Sequence, residues 1–194
     1  MYVFKGISGY ITILALMILE GIGFPIPSEV IMPLVGYFSK LGYLDIVVGV
    51  LIGTIGSLMG SIVDYYLALK LGPKFVRKFG RYVMFDEEKE RLLNIWFQKY
   101  GVVAVFGFRF IPEFRALISF PAGLAGMNLA KFLIFTFLGH LIWDSSLAYS
   151  GFVLYQQVDY VIMLAEKFSE VILIVFIIVV ATYILYRLKF TSRS

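Results

Sequence analysis

The sequence predicts an all-α polytopic membrane protein, an inverted repeat of two re-entrant hairpins that are each followed by a transmembrane helix. Amphipathic interfacial helices and a C-terminal transmembrane helix complete it. Three observations carry this. Of the 194 residues, 60% are hydrophobic and only 15% charged, more apolar surface than a soluble domain of this size can hide. Two stretches, 45–71 and 132–155, are long and apolar enough to span. Two others, 24–44 and 101–127, are interrupted by prolines and charges. A charge at mid-bilayer costs at least about 2.5–3.5 kcal/mol, and proline removes a backbone donor. A chain that enters, breaks and turns back is cheaper, provided that protein or a wet cavity covers the break.

Composition narrows the chemistry. With no cysteine and one histidine, disulfides, thiolate metal sites and a histidine-rich zinc site are excluded, and no metal or cofactor is expected. The net charge of +4 fits basic residues flanking membrane spans, so no nucleic-acid partner is expected. The whole chain, 1–194, reads as one membrane domain.

The first half covers 6–69. An apolar segment from Ile7 to Leu19 ends at an acid, Glu20, without a small-x-small cleavage site, and so reads as retained rather than as a removed signal. It is long enough for most of a crossing. FPIPSEVIMP, 24–33, then forbids a continuous helix with three prolines and a second acid, Glu29. The first re-entrant hairpin is placed at 24–44. The span that follows carries Gly49/Gly53 and Gly56/Gly60, small-xxx-small pairs that let another helix approach closely. Asp64 sits near its far end.

The character changes at 70–100. Basic and acidic residues alternate there with Phe85, Leu92, Leu93, Trp96 and Phe97 at roughly helical spacing, which predicts cytoplasmic helices lying along the headgroups. The second half, 101–155, enters with the hairpin 101–127. It is broken by RFIPEFR, 109–115, and punctuated again at Pro121, Gly123 and Gly126. Phe132 to Tyr155 is the second span, carrying His140, Trp143 and Asp144. A polar connection leads to an apolar helix at 171–187 with a basic tail.

Orientation follows from lysine and arginine. With 70–99 cytoplasmic, Lys5, Lys131, the tail and that segment place thirteen basic residues inside against Lys40 and Lys167 outside. This puts both termini in the cytoplasm of the cell that bears it. The two hairpins then insert from opposite faces, and the spans behind them share DYYLA at 64–68 and DSSLA at 144–148. Interrupted segments at corresponding places in two halves point to a transporter's binding site.

That site would join Glu20 and Glu29 from one half to Arg109 and Arg115 from the other. Pairing lowers the desolvation cost of each group, and a guanidinium matches carboxylate and phosphate oxygens alike. An anionic headgroup could therefore compete with the glutamates for Arg109 and Arg115, while protons or sodium ions acting at Glu20 and Glu29 couple the movement. Asp64, Glu113, His140 and Asp144 are secondary candidates. His140 and Asp144 stand one turn apart on one helix face. A set of static salt bridges is the alternative.

At these residues the chain resembles the DedA family, the SNARE-associated or VTT-domain membrane proteins, over about 10–155. The resemblance runs through Glu20 and then Phe24, Pro25, Pro27, Ser28 and Glu29, followed by Gly56, Gly60, Asp64 and Tyr65. F-x-K-Y-G follows at 97–101. Most specific is Phe106, Arg109, Phe110, Ile111, Pro112 and Arg115, leading to Ala122, Gly123 and Met127. Gly139 and Trp143 match a G-x-x-x-W. Gly151 to Tyr155 departs from the family, and His140 is not carried over. The resemblance implies a non-enzymatic flippase in a prokaryotic cytoplasmic membrane. Its cargo would be a phosphate-bearing lipid such as undecaprenyl phosphate or phosphatidylethanolamine, with Glu20, Glu29, Arg109 and Arg115 as the residues carried over. The rivals are an uncoupled scramblase, a scaffold, and an intramembrane lipid-phosphate enzyme using Ser28 beside Glu29. Whether a homo-oligomer is the working unit stays open at this point.

Overall fold

The computed structural model describes residues 6–24, 26–79, 87–112 and 114–157, with Tyr160, Met163 and Lys167 beyond them; for 71–79, 87–90 and Leu93 it describes the backbone only. Pro25, the candidate Glu113 and the expected helix at 171–187 lie outside the described residues. Everything regular among those described is helical: α1 (Gly6–Gly21), α2 (Ser28–Lys40), α3 (Ile46–Phe79), α4 (Glu87–Phe108), α5 (Phe114–Leu117), α6 (Ser119–Leu124) and α7 (Leu129–Val153), then a single 3-10 turn, Tyr155–Gln157.

Two stretches are long and apolar enough to cross a bilayer, Ile46–Lys70 in α3 and Leu129–Val153 in α7, each of 25 residues. At 1.5 Å per residue each reaches roughly 37 Å, against a hydrocarbon core of about 30 Å. The 13 residues of α2 reach only about 20 Å. Helix α2 starts where it does because Pro27 holds an extended conformation, with φ −77° and ψ 116°. Asn128 starts α7 by accepting the Lys131 N–H at 3.1 Å. Gly126, at φ 59°, provides the left-handed residue that ends α6.

Two broken units wrap these two spans. In the first, the Gly6 N–H donates to the Tyr43 carbonyl at 3.4 Å, and the Tyr10 hydroxyl accepts from the Asp45 N–H at 2.7 Å. The start of α1 therefore lies beside the end of α2. Helices α1 and α2 thus form a helical hairpin over 6–44, and the segment 24–44 expected from the sequence to re-enter supplies its second arm. Its two arms are similar in length, which apolarity alone does not reveal. In the second unit, Gly101 of α4 packs against Met127, just beyond the end of α6, with Sδ 3.5 Å from where a Cβ would stand.

The arms are exchanged between the halves. Helix α1 packs on its own span, α3, whereas α2 packs on α7. Likewise α4 packs on α7, whereas α6 packs on α3. Glycines make each close approach possible. A Cβ on Gly56 would stand 2.9 Å from the Leu14 carbonyl oxygen, and one on Gly21 would stand 2.5 Å from that of Ser57. Gly49 and Gly53 face Val35 and Met32 of α2 instead, so the two small-residue pairs serve two different helices. Gly36 lies on the backbone of Ala148, and Gly123 lies on Tyr65 and Ala68.

Of the charged stretch 70–100, expected to lie along the headgroups, residues 80–86 lie outside the described residues. Helix α3 runs on through Gly72 and Pro73, and α4 passes from Lys99 into the apolar Gly101–Phe108 without a break. A switch from apolar to charged residues marks where hydrocarbon ends. It does not end a helix, whose backbone bonds are internal on either side of that boundary.

Candidate functional site

Both bends bring side chains to the middle of the two spans. Glu20, in the last turn of α1, lies beside Ser57, whose Oγ donates to Glu20 Oε2 at 3.1 Å. Ser57 is 11 residues past Ile46, about 16 Å along α3 and so near half the hydrocarbon depth. Helix α4 stops at Phe108 because Pro112 cannot continue it, and the turn at 109–112 delivers Arg115 from α5 to the same place.

Arg115, 3% exposed, donates through Nε (2.8 Å) and Nη2 (2.5 Å) to a single oxygen, Glu20 Oε1. Its Nη1 stands 4.0 Å from Asp144 Oδ1, and its guanidinium carbon lies 5.9 Å from the centre of the Trp143 ring. Asp144 Oδ2 accepts from Thr54 Oγ1 at 3.0 Å. One glutamate and one aspartate, from α1 and α7, thus flank one arginine. The buried pair is compensated by hydroxyls from α3, as a desolvated pair requires.

Arg109 behaves differently. It is fully buried and meets no carboxylate within 4.0 Å among the described residues. It donates to the Arg115 backbone carbonyl, to Ser119 Oγ at 2.9 Å and to Thr136 Oγ1 at 3.1 Å. A broken helix leaves carbonyls without intrahelical donors, and a guanidinium with donors in a rigid fork is suited to gather them. Gly139 admits its stem: a Cβ there would lie 2.8 Å from both Arg109 Cβ and Cγ.

The remaining candidates are spread around this pair. Glu29 is buried and acts on Arg115 electrostatically, with no hydrogen bond or ion pair among the described residues. Asp64 is half-buried, one turn beyond Ser61, within electrostatic reach of Arg109. His140 shares a 3.3 Å hydrogen bond with Ser61 through Nε2; no direct bond joins it to Asp144 among the described residues. Tyr65 ties α3 to the end of α6 by donating to the Met127 carbonyl, while its ring stacks 4.7 Å from Phe132.

Residue chemistry alone assigned no role to Thr54, Ser57, Ser61, Ser119 or Thr136. The signal was present for three of them: 54, 57 and 61 recur at i, i+3 and i+7, one face of a helix. That face meets Asp144, Glu20 and His140 in turn. Around it, Arg109 Nε, Arg115 Nη1, Asp144 Oδ1, His140 Nδ1 and Trp143 Nε1 are buried with no hydrogen-bond partner among the described residues. Orphaned buried polar atoms are few in native proteins, and donors with one acceptor beside a buried cation suit a polar, anionic ligand.

The VTT domain family matches residues 26–153, which takes in α2, both spans and the broken segment between them. The chain belongs to the VTT-domain family. The DedA resemblance read from the motifs is this same family. Among VTT-domain relatives, undecaprenyl phosphate transporter A of Bacillus subtilis (strain 168) is 33% identical over 84% of this chain and 82% of its own length. The protein of that name from Staphylococcus aureus (strain NCTC 8325 / PS 47) is 32% identical over 89% of this chain and 87% of its own length. A Lactococcus lactis subsp. lactis (strain IL1403) protein named alkaline phosphatase-like is 33% identical over 96% and 90%. No solved structure matches the chain.

Proposed function

We propose that this VTT-domain protein is a transporter that carries a phosphate-bearing lipid headgroup across the cytoplasmic membrane of a prokaryote. Coupling is to protons or sodium ions, Arg115 is the headgroup ligand, and Glu20 is the coupling acid. The observation that carries the reading is Arg115 itself. It is buried at the meeting of two helix bends, held on one side by Glu20, and its Nη1, 4.0 Å from Asp144 Oδ1, has no hydrogen-bond partner among the described residues. Two relatives named for undecaprenyl phosphate transport support a long-chain phosphate lipid as the cargo.

The hairpins at 6–44 and 101–127 are the re-entrant elements, and together with α3 and α7 they form two halves of an inverted repeat. Supporting this is the exchange of arms, in which Gly36 seats on Ala148 and Gly123 on Ala68, the last residues of the two DxxLA motifs. The single membrane domain then divides at 70–100, on the cytoplasmic side. Because α1 starts beside Tyr43, the N-terminal end of α1 shares the outer face with Lys40, while the tail beyond 187 remains cytoplasmic. Moving Lys5 outward changes the basic count to twelve against three, still strongly positive-inside. This reading places the N-terminus outside, in contrast to the cytoplasmic N-terminus that the basic residues alone favour.

An intramembrane enzyme would need Ser28 activated by Glu29, yet Ser28 Oγ has no hydrogen-bond partner among the described residues. Reconstituted flipping of a polyprenyl phosphate tests the transport reading. Arg115→Gln abolishes flipping, and Glu20→Gln retains a residual rate that no longer responds to an imposed gradient. Wild-type flipping whose net direction ignores both pH and sodium gradients would leave an uncoupled scramblase. Undiminished flipping by Arg115→Gln would remove the guanidinium from the site.

A further inference from the structure

Helix α4 carries a second feature that the buried pair does not use. A groove of about 550 Å³ runs along its outer face, walled by Trp96, Tyr100, Val103 and Phe108 and ending at Ile111. Its floor is Ala104 and Gly107. Among the described residues nothing lies within 4 Å of where a Gly107 Cβ would stand, so their helix packing does not explain this glycine, unlike Gly21, Gly36 or Gly123. Val103 is 72% exposed, and the lining is almost wholly hydrocarbon.

The two ends of the groove differ. At one, Lys99 Nζ sits 5.0 Å above the Tyr100 ring, with Trp96 beside it: a cation and two amphipathic aromatic rings, the combination that settles at headgroup level. At the other, the Ile111 carbonyl accepts the Arg115 N–H at 3.1 Å, one turn from the buried guanidinium. An occupant that is apolar along its length and anionic at the Lys99 end matches both ends.

We infer that this groove is the loading site for the transported lipid: the hydrocarbon chain lies between Trp96 and Ile111 over Gly107, and the phosphate rests against Lys99. This rests on the transport reading for its cargo, but the site is tested by equilibrium binding without any movement of lipid. Gly107 keeps the floor low, and a longer side chain there fills the groove.

Trp96 provides the readout, since the chain has two tryptophans and Trp143→Phe leaves Trp96 alone. The protein is reconstituted in phosphatidylcholine vesicles, and phosphatidic acid with brominated chains is titrated in against brominated phosphatidylcholine. The phosphate-monoester lipid should quench Trp96 saturably, at about fivefold lower mole fraction than the choline lipid, as one lysine near the surface gives. Lys99→Gln should remove that preference. Gly107→Leu should remove the saturable component while leaving thermal stability at the wild-type level, and Gly107→Ala should weaken it. Equal quenching by both lipids means ordinary boundary lipid and overturns the inference. So does quenching unchanged by Gly107→Leu, or none from either lipid because a second copy covers the face. Flipping by wild type without this selective quenching rejects the groove and keeps the transport reading; selective quenching without flipping does the reverse.

Discussion

Arg109 and Arg115 stand six positions apart in one apolar run, and the sequence assigns them the same job. Their surroundings separate them. Each keeps one nitrogen without a hydrogen-bond partner among the described residues, but Arg115 faces two carboxylates, whereas Arg109 is fastened to a backbone carbonyl and two hydroxyls, so Arg109 positions the segment that presents Arg115. A lysine at 109 retains the charge but not the planar fork, and at least one of these charge-assisted bonds is lost. Arg109→Lys should therefore lower unfolding stability by about 1.5–3 kcal/mol, read by thermal unfolding in detergent, and flipping should fall in parallel. Full stability with lost transport would instead make Arg109 a ligand. The acids divide in the same way. Glu20 was legible as an acid ending an apolar run, but its choice of Arg115 over Arg109 depends on where two distant turns meet.

At the scale of elements, the glycines show what proline and charge patterns do not. Gly151 faces the Pro33 backbone, with Pro33 Cα 2.7 Å from where a Cβ would stand, and neither backbone can give way easily. Gly151→Ala should separate α2 from α7 and destabilise the protein by about 1–3 kcal/mol. Gly107→Ala should be neutral or stabilising by up to about 1 kcal/mol, the helix-propensity difference. Thermal unfolding of the two variants side by side checks this, and equal losses would contradict the packing described. Breaks at proline-rich segments were readable because proline acts locally. The continuation of α3 to Phe79 and of α4 across Lys99 was not, because composition reports the surroundings of a helix and not its ends.

For the whole molecule, the chain's lack of cysteine makes its topology directly measurable. Ile7→Cys and Lys40→Cys, at opposite ends of the first hairpin, should both react with a membrane-impermeant maleimide added outside cells. Gln98→Cys should react only after the cytoplasmic face is opened. Labelling of Ile7→Cys and Lys40→Cys from opposite sides would mean that α1 crosses the bilayer, and the inverted repeat would fail with it. In the arrangement described here, the second arm of each hairpin packs on the other half's span. Neither half can bury its own charged bend alone, which ties the site to the association of both.

By itself the sequence determined that this is a helical membrane protein with two apolar spans, two broken segments and an uncommon set of acids and arginines between them. Those properties are local: apolar length, proline chemistry and the cost of charge in hydrocarbon act on neighbours in the chain. The tertiary structure decided which arginine meets which acid, that α1 is the first arm of a hairpin, and that a row of hydroxyls on α3 serves the site. Each of these depends on contacts between residues tens of positions apart, which only the packing of one half against the other creates.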